Sequence, residues 1–429
     1  MGRGSIQTTS LFFAMKNIVI AAFALLLAYY GPQQDQPNRF DAAWMLGALA
    51  LMAAVGGQLA QAARLPALVG WVGAGLLLGV SGLQIVRPDV FSPYNILLLT
   101  TGLCIGFQVG LNVVWPAQRD WRGPVLLAVA TVLILLLVTV SVALLVELPW
   151  GVALLIGALA SLWGPFTAVP EFDRRGALLL SILGGCFALV LLSGVLVFLE
   201  SEAVVEAGAS GWVARIWLSL LVGGGLGLGL RLAGLLAAPA STLVAGLLGT
   251  LLLTGVVLGE WGLMALPCGL VAGLLQGRQR LSTRRVRLLL HQSAPAAFML
   301  FFALMGVALD LRALWPPSDG LYEVALVLVA APLFLRGLAP MVYYPLPAPN
   351  PGPSGRIGWL LLPRGALLFE LFYGPHGLKQ YVGIDGLLGQ AVSVDILFSV
   401  VFFSILASFL GTKVSGRERA PTAEEAAPT

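Results

Sequence analysis

Long apolar runs, bounded by charged residues, prolines and glycines, follow one another along the chain. Fourteen of these runs approach the ~20 residues that an α-helix needs to cross a bilayer. The pattern therefore predicts an all-α polytopic membrane protein. Two short junctions, Arg64-Leu65-Pro66 and Gly259-Glu260, separate neighbouring runs. The predicted spans cover residues 11–30, 42–62, 66–82, 93–114, 122–147, 150–168, 174–199, 211–235, 240–257, 259–276, 286–310, 322–343, 356–373 and 388–411.

The composition narrows the class of protein further. Of the 429 residues, 59% are hydrophobic and 10% are charged, against about 25% charged in ordinary soluble proteins. This excludes a soluble globular enzyme, and the net charge of +4 lies in loops, with no nucleic-acid-binding module. Cys104, Cys186 and Cys268 lie inside apolar runs without CxxC or Cys/His spacing, so the sequence indicates no disulfide framework, metal site or cofactor.

Lysine and arginine are distributed unevenly between the two sides of the predicted membrane. Seventeen of the 24 fall on the side that carries both termini, and five fall on the other side. Cytoplasmic loops hold the excess of positive charge, so both termini are predicted to lie in the cytoplasm of a cell whose inner membrane holds the chain. The remaining two, Arg336 and Arg364, lie within predicted spans.

An acidic connecting loop at 200–210 divides the chain into two sets of seven predicted helices, at 1–199 and 211–412. An odd number of spans inverts the second set relative to the first. Inverted-topology repeats of this kind are common in secondary transporters. The polar residues 413–429, rich in Ala, Pro and Glu, are predicted to form a disordered cytoplasmic tail.

Two of the predicted spans contain breaks at corresponding positions. Span six carries Ser161-Leu162-Trp163-Gly164-Pro165, and span thirteen, seven spans later, carries Pro363-Arg364-Gly365. Breaks free backbone groups that hydrocarbon cannot satisfy, so they indicate discontinuous helices that line a site. The alternative is that these prolines and glycines merely kink packed helices.

Several short motifs now resemble those of the monovalent cation:proton antiporter superfamily, particularly its bacterial potassium-efflux and sodium/proton branches. They occur in the family's order and spread over roughly residues 45–410. The matching stretches are RLPALVG at 64–70, GAGLLLG at 73–79, FQVGLN at 107–112, GLVAG at 269–273, FFALMGVALDL at 301–311 and LPRG at 362–365.

This resemblance implies the sodium/proton antiporter fold, a homodimer, and a core of crossed discontinuous helices that moves against a fixed dimer domain. It also implies monovalent cations and protons as the transported species. In the family the ion site is an Asp-Asp or Asn-Asp pair on the helix after the first broken one, and a Lys or Arg from the second repeat lies near it. A carboxylate within the membrane holds either a proton or a cation, and this competition couples the two fluxes.

The sequence departs from the family at the acidic positions. Aligning Gly176 with the start of the ion-site helix puts the acidic pair on Cys186 and Phe187. Two further family glutamates, in the motifs FxxGLE and PRGE, correspond to Asn112 and Ala366. The expected ion site is therefore non-standard or degenerate.

Four other charged residues lie within predicted spans. Arg336 matches the basic residue of the second repeat, Arg364 lies in the second break, and Glu370 and Asp395 are the acids available to them. A lone guanidinium at this depth costs ~3 kcal/mol, so it needs a partner. Two interpretations are open. In the first, a relocated ion site is formed by Asp395, Glu370 and the broken-helix backbone, with Arg336 as its charge partner. In the second, the two arginines are structural and pair with these acids or with backbone carbonyls freed at the breaks.

Three functions remain open. A cation:proton antiporter with an altered site accounts for the motifs and the paired breaks. A small organic anion is an alternative substrate, because a core that keeps Arg336 and Arg364 but lacks the acidic pair tends towards positive charge. The third is a non-transporting membrane subunit or sensor that retains the antiporter scaffold.

Overall fold

The computed structural model describes residues 39–63, 65–86, 94–113, 122–162, 175–201, 209–232, 240–277, 283–311, 324–325, 327–328, 365–374, 377–378 and 387–402. The described residues form helices and connecting turns, without strands. Twelve helices are labelled here in chain order. They are α1 Arg39–Ala62, α2 Ala67–Leu78, α3 Tyr94–Asn112, α4 Arg122–Leu145, α5 Trp150–Ser161, α6 Arg175–Ser201, α7 Ala209–Leu232, α8 Ala240–Trp261, α9 Ala265–Gly277, α10 Thr283–Ala308, α11 Gly365–Tyr373 and α12 Leu387–Leu397.

The helices fall on the predicted spans. Five of them contain segments of at least 18 residues that are long and apolar enough to cross a membrane, in α1, α3, α4, α6 and α7. The predicted span at 11–30 lies outside the described residues, and only four helical residues are described within 322–343. The all-α class is therefore confirmed, and the total of fourteen spans stays a prediction.

Helices α3 and α9 share the most extensive helix–helix contact in the described part of the chain. A Cβ on Gly106 or Gly110 of α3 would collide with the backbone of Leu266 or Leu270, and a Cβ on Gly273 of α9 would collide with the Phe107 carbonyl. Glycines spaced four residues apart on both helices thus let the two backbones meet, as small residues do at helix interfaces in membranes. This contact fixes α9 firmly against α3.

Two further helices complete this cluster. Helix α7 packs on α9, with Gly223 against the backbone of Cys268, and α8 packs on α3. Apolar side chains of all four helices form one buried cluster that includes Leu103, Leu230 and Leu258. We call α3, α7, α8 and α9 the four-helix cluster.

The remaining helices form three other groups, and one of these is α1, α2 and α10, which pack on one another. Helices α4, α5 and α6 pack on one another, and α6 alone among them packs extensively on α7. Helices α11 and α12 pack together, and the π-helical turn Phe398–Phe402 that follows α12 contacts α2 and α11. Helix α11 also touches α10. The four-helix cluster therefore combines α3 from the first half of the chain with three helices from the second half, and the α11–α12 pair comes from the second half alone.

The first predicted break coincides with a helix end in the described residues. Helix α5 ends at Ser161, and Leu162 is extended with φ −60° and ψ 129°. At the second predicted break, Gly365 is the first described residue and lies in α11. Trp163, Gly164, Pro165, Pro363 and Arg364 lie outside the described residues.

Candidate functional site

A sharp turn joins α8 to α9 inside the buried part of the protein. Gly262 has a φ of +63°, which glycine adopts without steric cost. The Leu263 amide donates to the Leu258 carbonyl at 2.8 Å, and the Gly262 amide donates to the Gly259 carbonyl at 3.3 Å. This pair of bonds is a Schellman motif, so α8 continues to Trp261, beyond the junction predicted at Gly259-Glu260.

The first turn of α9 is buried, and its amides bind side chains from two other helices. The Met264 amide donates to Ser219 Oγ of α7 at 2.8 Å. The Ala265 amide donates to Glu370 Oε1 of α11, and the Leu266 amide donates to Glu370 Oε2 at 2.9 Å. Pro267 follows and has no N–H, so the donors that a helix start leaves without intrahelical partners are all accounted for.

The Glu370 carboxylate is therefore a side-chain cap from a distant helix. It is 3% exposed, and both of its oxygens accept from amides at the positive end of the α9 dipole. A carboxylate in this position is stabilised by charge-assisted hydrogen bonds and by the helix dipole. Both oxygens of the buried Glu370 side chain thus have hydrogen-bond partners among the described residues.

Asp395 is the second buried acid. It lies on α12 and is 1% exposed. Three residues later the helix changes to the π-helical turn Phe398–Phe402, a distortion often found at functional sites. Ser399, one turn beyond Asp395 within that segment, is fully buried, and its hydroxyl has no hydrogen-bond partner among the described residues.

Polar side chains also join α11 to α12. The Tyr373 hydroxyl lies in hydrogen-bond contact with Ser393 Oγ and donates to the Gly389 carbonyl at 3.3 Å. Ser393 Oγ donates to the same carbonyl at 2.7 Å. The α11–α12 pair thus carries Glu370, Tyr373, Ser393, Asp395 and Ser399, all in the second half of the chain.

The positions aligned with the family's acidic pair look different. On α6, Cys186 is exposed and Phe187 is partly buried against the apolar core. Gly184, Gly185 and Ala188 are the buried residues at this level of the helix. Within this stretch of α6 no carboxylate is present.

The structure brings some of the predicted site residues together with groups that sequence reasoning missed. Glu370 meets the amides of Ala265 and Leu266, and Ser219 joins the same helix start. Pro267, in the first turn of α9, is the sequence signal that marks this start. Arg336 and Arg364 lie outside the described residues, and no group of three or more His, Cys, Asp or Glu suited to a metal ion occurs within the described ones.

Comparison with known families gives one match. Residues 47–413 match the profile of the family described as "Sodium/hydrogen exchanger, transmembrane". The matched region spans most of the chain, including the four-helix cluster and the α11–α12 pair. No curated protein sequence matches the chain significantly.

Solved structures give a consistent likeness. The chain is similar to the sodium proton antiporter MjNhaP1 from Methanocaldococcus jannaschii at pH 8, with a TM-score of 0.58 and 17% identity, covering 88% of this chain and 97% of that one. A second structure of the same antiporter, from an electron microscopy map, gives a TM-score of 0.61 at 17% identity, covering 91% and 100%. This likeness confirms the antiporter fold predicted from the motifs.

Proposed function

The chain belongs to the sodium/hydrogen exchanger family, and on this premise we propose that it exchanges Na⁺ or K⁺ for protons through a non-standard ion site. It is an integral membrane protein of a transporter family and not of an enzyme family. The observation that carries the proposal is the position of its buried acids. They lie on α11 and α12, while the aligned positions of α6 hold Cys186 and Phe187.

Asp395 is the carboxylate we assign to the exchange. Burial makes the ionised form of a carboxyl group costly, and uptake of a proton or a monovalent cation offsets its charge. Because the two compete for the same oxygens, release of one accompanies uptake of the other. Ser399 supplies a hydroxyl oxygen, one turn away, with a lone pair for a desolvated cation.

Glu370 has a different place in the proposal. Its oxygens accept from two amides, so a cation bound there competes with both hydrogen bonds. The backbone at the second helix break contributes oxygens to the site, and Arg336 acts as its charge partner. Arg364, in the same break, donates hydrogen bonds to freed backbone carbonyls or pairs with the acids.

The wider assignment follows the family. We propose two inverted seven-helix repeats, a homodimer, and an inner-membrane location with both termini in the cytoplasm. The small residues at the α3–α9 contact support a rigid unit against which other helices move.

Ion flux in everted membrane vesicles tests this function. Addition of Na⁺ or K⁺ to vesicles with an established pH gradient should dissipate the gradient, and Asp395→Asn should slow the dissipation at least tenfold. Ser393→Ala is the matched control, since it removes a buried polar group from the same helix but leaves the acid in place. It should keep most of the flux.

Two results contradict the proposal. One is a gradient that does not respond to either cation at any pH. The other is an Asp395→Asn variant that transports like the wild type. A response to carboxylates, with none to alkali cations, would point to the organic anion substrate instead.

A non-transporting scaffold is the second candidate, and the side chains of α6 favour it. Exposed Cys186 and partly buried Phe187 offer no oxygen ligand where the family keeps its acidic pair. This candidate predicts a stable protein partner on co-purification. It also predicts a wild-type phenotype for substitutions at Arg336, Glu370 and Asp395.

A further inference from the structure

Ser399 carries a buried hydroxyl group that its own helix does not bind. Serine and threonine side chains within a helix commonly donate to the carbonyl three or four residues earlier. Ser393, six residues before Ser399, does so at the Gly389 carbonyl, at 2.7 Å. The Ser399 side chain is 0% exposed, and its Oγ has no hydrogen-bond partner among the described residues. The bond to the carbonyl four residues earlier is also made by Thr101, Ser141, Ser193, Ser219, Thr250 and Thr254.

The π-helical turn Phe398–Phe402 gives a physical reason for this difference. A π-helix closes its backbone hydrogen bonds over five residues instead of four. The carbonyl four residues before Ser399 is therefore displaced from the place that it has in an α-helix. That carbonyl belongs to Asp395. The turn thus leaves the Ser399 hydroxyl available for a ligand one turn away from the buried acid.

Two other buried hydroxyl groups, those of Thr100 and Thr139, also lack a partner among the described residues. Their helices, α3 and α4, contain no acidic residue. Ser399 differs from them because it follows Asp395, which is itself buried. A hydroxyl group without a structural bond, close to a buried acid, is suited to hold a ligand that the acid attracts.

We propose that Ser399 is a ligand for the cation alone, and that it sets the affinity for Na⁺ or K⁺ without changing the affinity of Asp395 for a proton. This inference rests on the proposed exchange at Asp395. A proton is held by a covalent O–H bond of the carboxyl group and needs no second ligand. A cation that has lost its water needs several oxygen ligands, and a hydroxyl oxygen has the lone pairs to be one of them. Ser399 is thus a specificity-determining residue.

The stability of a variant in the absence of the cation is the first test. A buried hydroxyl group without a hydrogen bond lowers stability, so its removal should not destabilise the protein. In choline chloride, Ser399→Ala should melt no lower than the wild type. Ser393→Ala should melt lower, because it loses the bond to the Gly389 carbonyl. A lower melting temperature for Ser399→Ala would show that its hydroxyl group has a structural role, and would overturn the proposal.

Cation binding to the purified protein in detergent is the second test. The rise in melting temperature is measured against Na⁺ or K⁺ concentration at a series of pH values, with choline chloride keeping the ionic strength constant. Ser399→Ala should need about tenfold more cation at every pH, because it loses one ligand to a charged group. The pH below which protons weaken cation binding should stay at its wild-type value. Ser393→Ala is the matched control and should bind the cation as the wild type does.

The outcomes separate this inference from the proposed exchange. A change in that pH without a loss of cation affinity would overturn the inference, because the Ser399 hydroxyl would then act on the proton of Asp395. If Asp395→Asn abolishes cation binding but Ser399→Ala binds as the wild type does, the exchange stands and the inference alone fails. A wild type that binds neither cation refutes the exchange itself.

Discussion

Glu370 and Asp395 are buried to a similar degree but lie in different surroundings. Glu370 accepts from two backbone amides at the start of α9, and Asp395 lies one turn before a buried hydroxyl at a π-helical turn. Two amides and a helix dipole hold the Glu370 carboxyl group in place. For this reason the ion exchange is assigned to Asp395 and not to Glu370.

Ser219 provides a prediction at the same junction. Ser219→Ala leaves the buried Met264 amide without its acceptor, so it should destabilise the protein by about 1–3 kcal/mol. Thermal unfolding of the detergent-solubilised protein measures the loss. Ser141→Ala is the control, because the exposed Ser141 hydroxyl bonds only its own helix, at the Leu137 carbonyl. Equal stability of both variants would show that the bond to Met264 contributes little.

The sequence identified the buried acids but not their partners. Glu370 and Asp395 stand out because charges are rare in apolar runs. The partners of Glu370 are the amides of residues more than 100 positions away. Every residue carries such an amide, so no side-chain type in the sequence marks these two, and only the tertiary placement of α9 reveals them.

At the scale of the elements, close backbone contacts organise the four-helix cluster. Gly273 on α9 meets the Phe107 carbonyl on α3, and Gly269 meets the Leu103 carbonyl one turn earlier. These contacts depend on the absence of a Cβ, so the role of glycine here is to let two backbones approach and not to give the chain flexibility. The motifs around 107–112 and 269–273 therefore mark the two sides of one helix interface.

Two glycine-to-alanine substitutions distinguish the steric cost of an added methyl group from the gain in helix propensity. Gly273→Ala should cost about 1–3 kcal/mol, because the new methyl group collides with backbone that cannot move without shifting α3. Gly224→Ala, in α7, faces open space and should be neutral or stabilising by up to ~1 kcal/mol, since alanine favours helix. Thermal unfolding of the two variants measures the difference. A loss of equal size in both would contradict the assigned interface.

Helix positions were predictable and helix ends less so. The apolar runs placed α3 and α4 within a few residues, because charges and prolines bound them on both sides. The end of α8 was predicted at Gly259-Glu260 and lies at Trp261. Several glycines in this region are compatible with a helix end, and the positive φ of Gly262 is a property of the folded chain.

At the scale of the whole molecule, the family's fold is retained, while the positions that the resemblance aligns with its acidic pair carry no carboxylate. Residues 47–413 match the sodium/hydrogen exchanger family, yet α6 carries Cys186 and Phe187 where the resemblance places the acidic pair. Fold depends on spans, glycines and breaks distributed along the chain, and ion chemistry depends on a few side chains. The motifs therefore predict the fold, which the structural likeness confirms, and the ion site stays a prediction.

The central claim is cation:proton exchange through an acid of the second half of the chain, and purified protein in proteoliposomes tests it most directly. Liposomes with an acidic lumen report the internal pH after Na⁺ or K⁺ is added outside. We predict rapid alkalinisation with the wild type, and at least tenfold slower alkalinisation with Asp395→Asn reconstituted to the same density. Absence of any cation-dependent pH change with the wild type, or equal rates for the two proteins, would contradict the account.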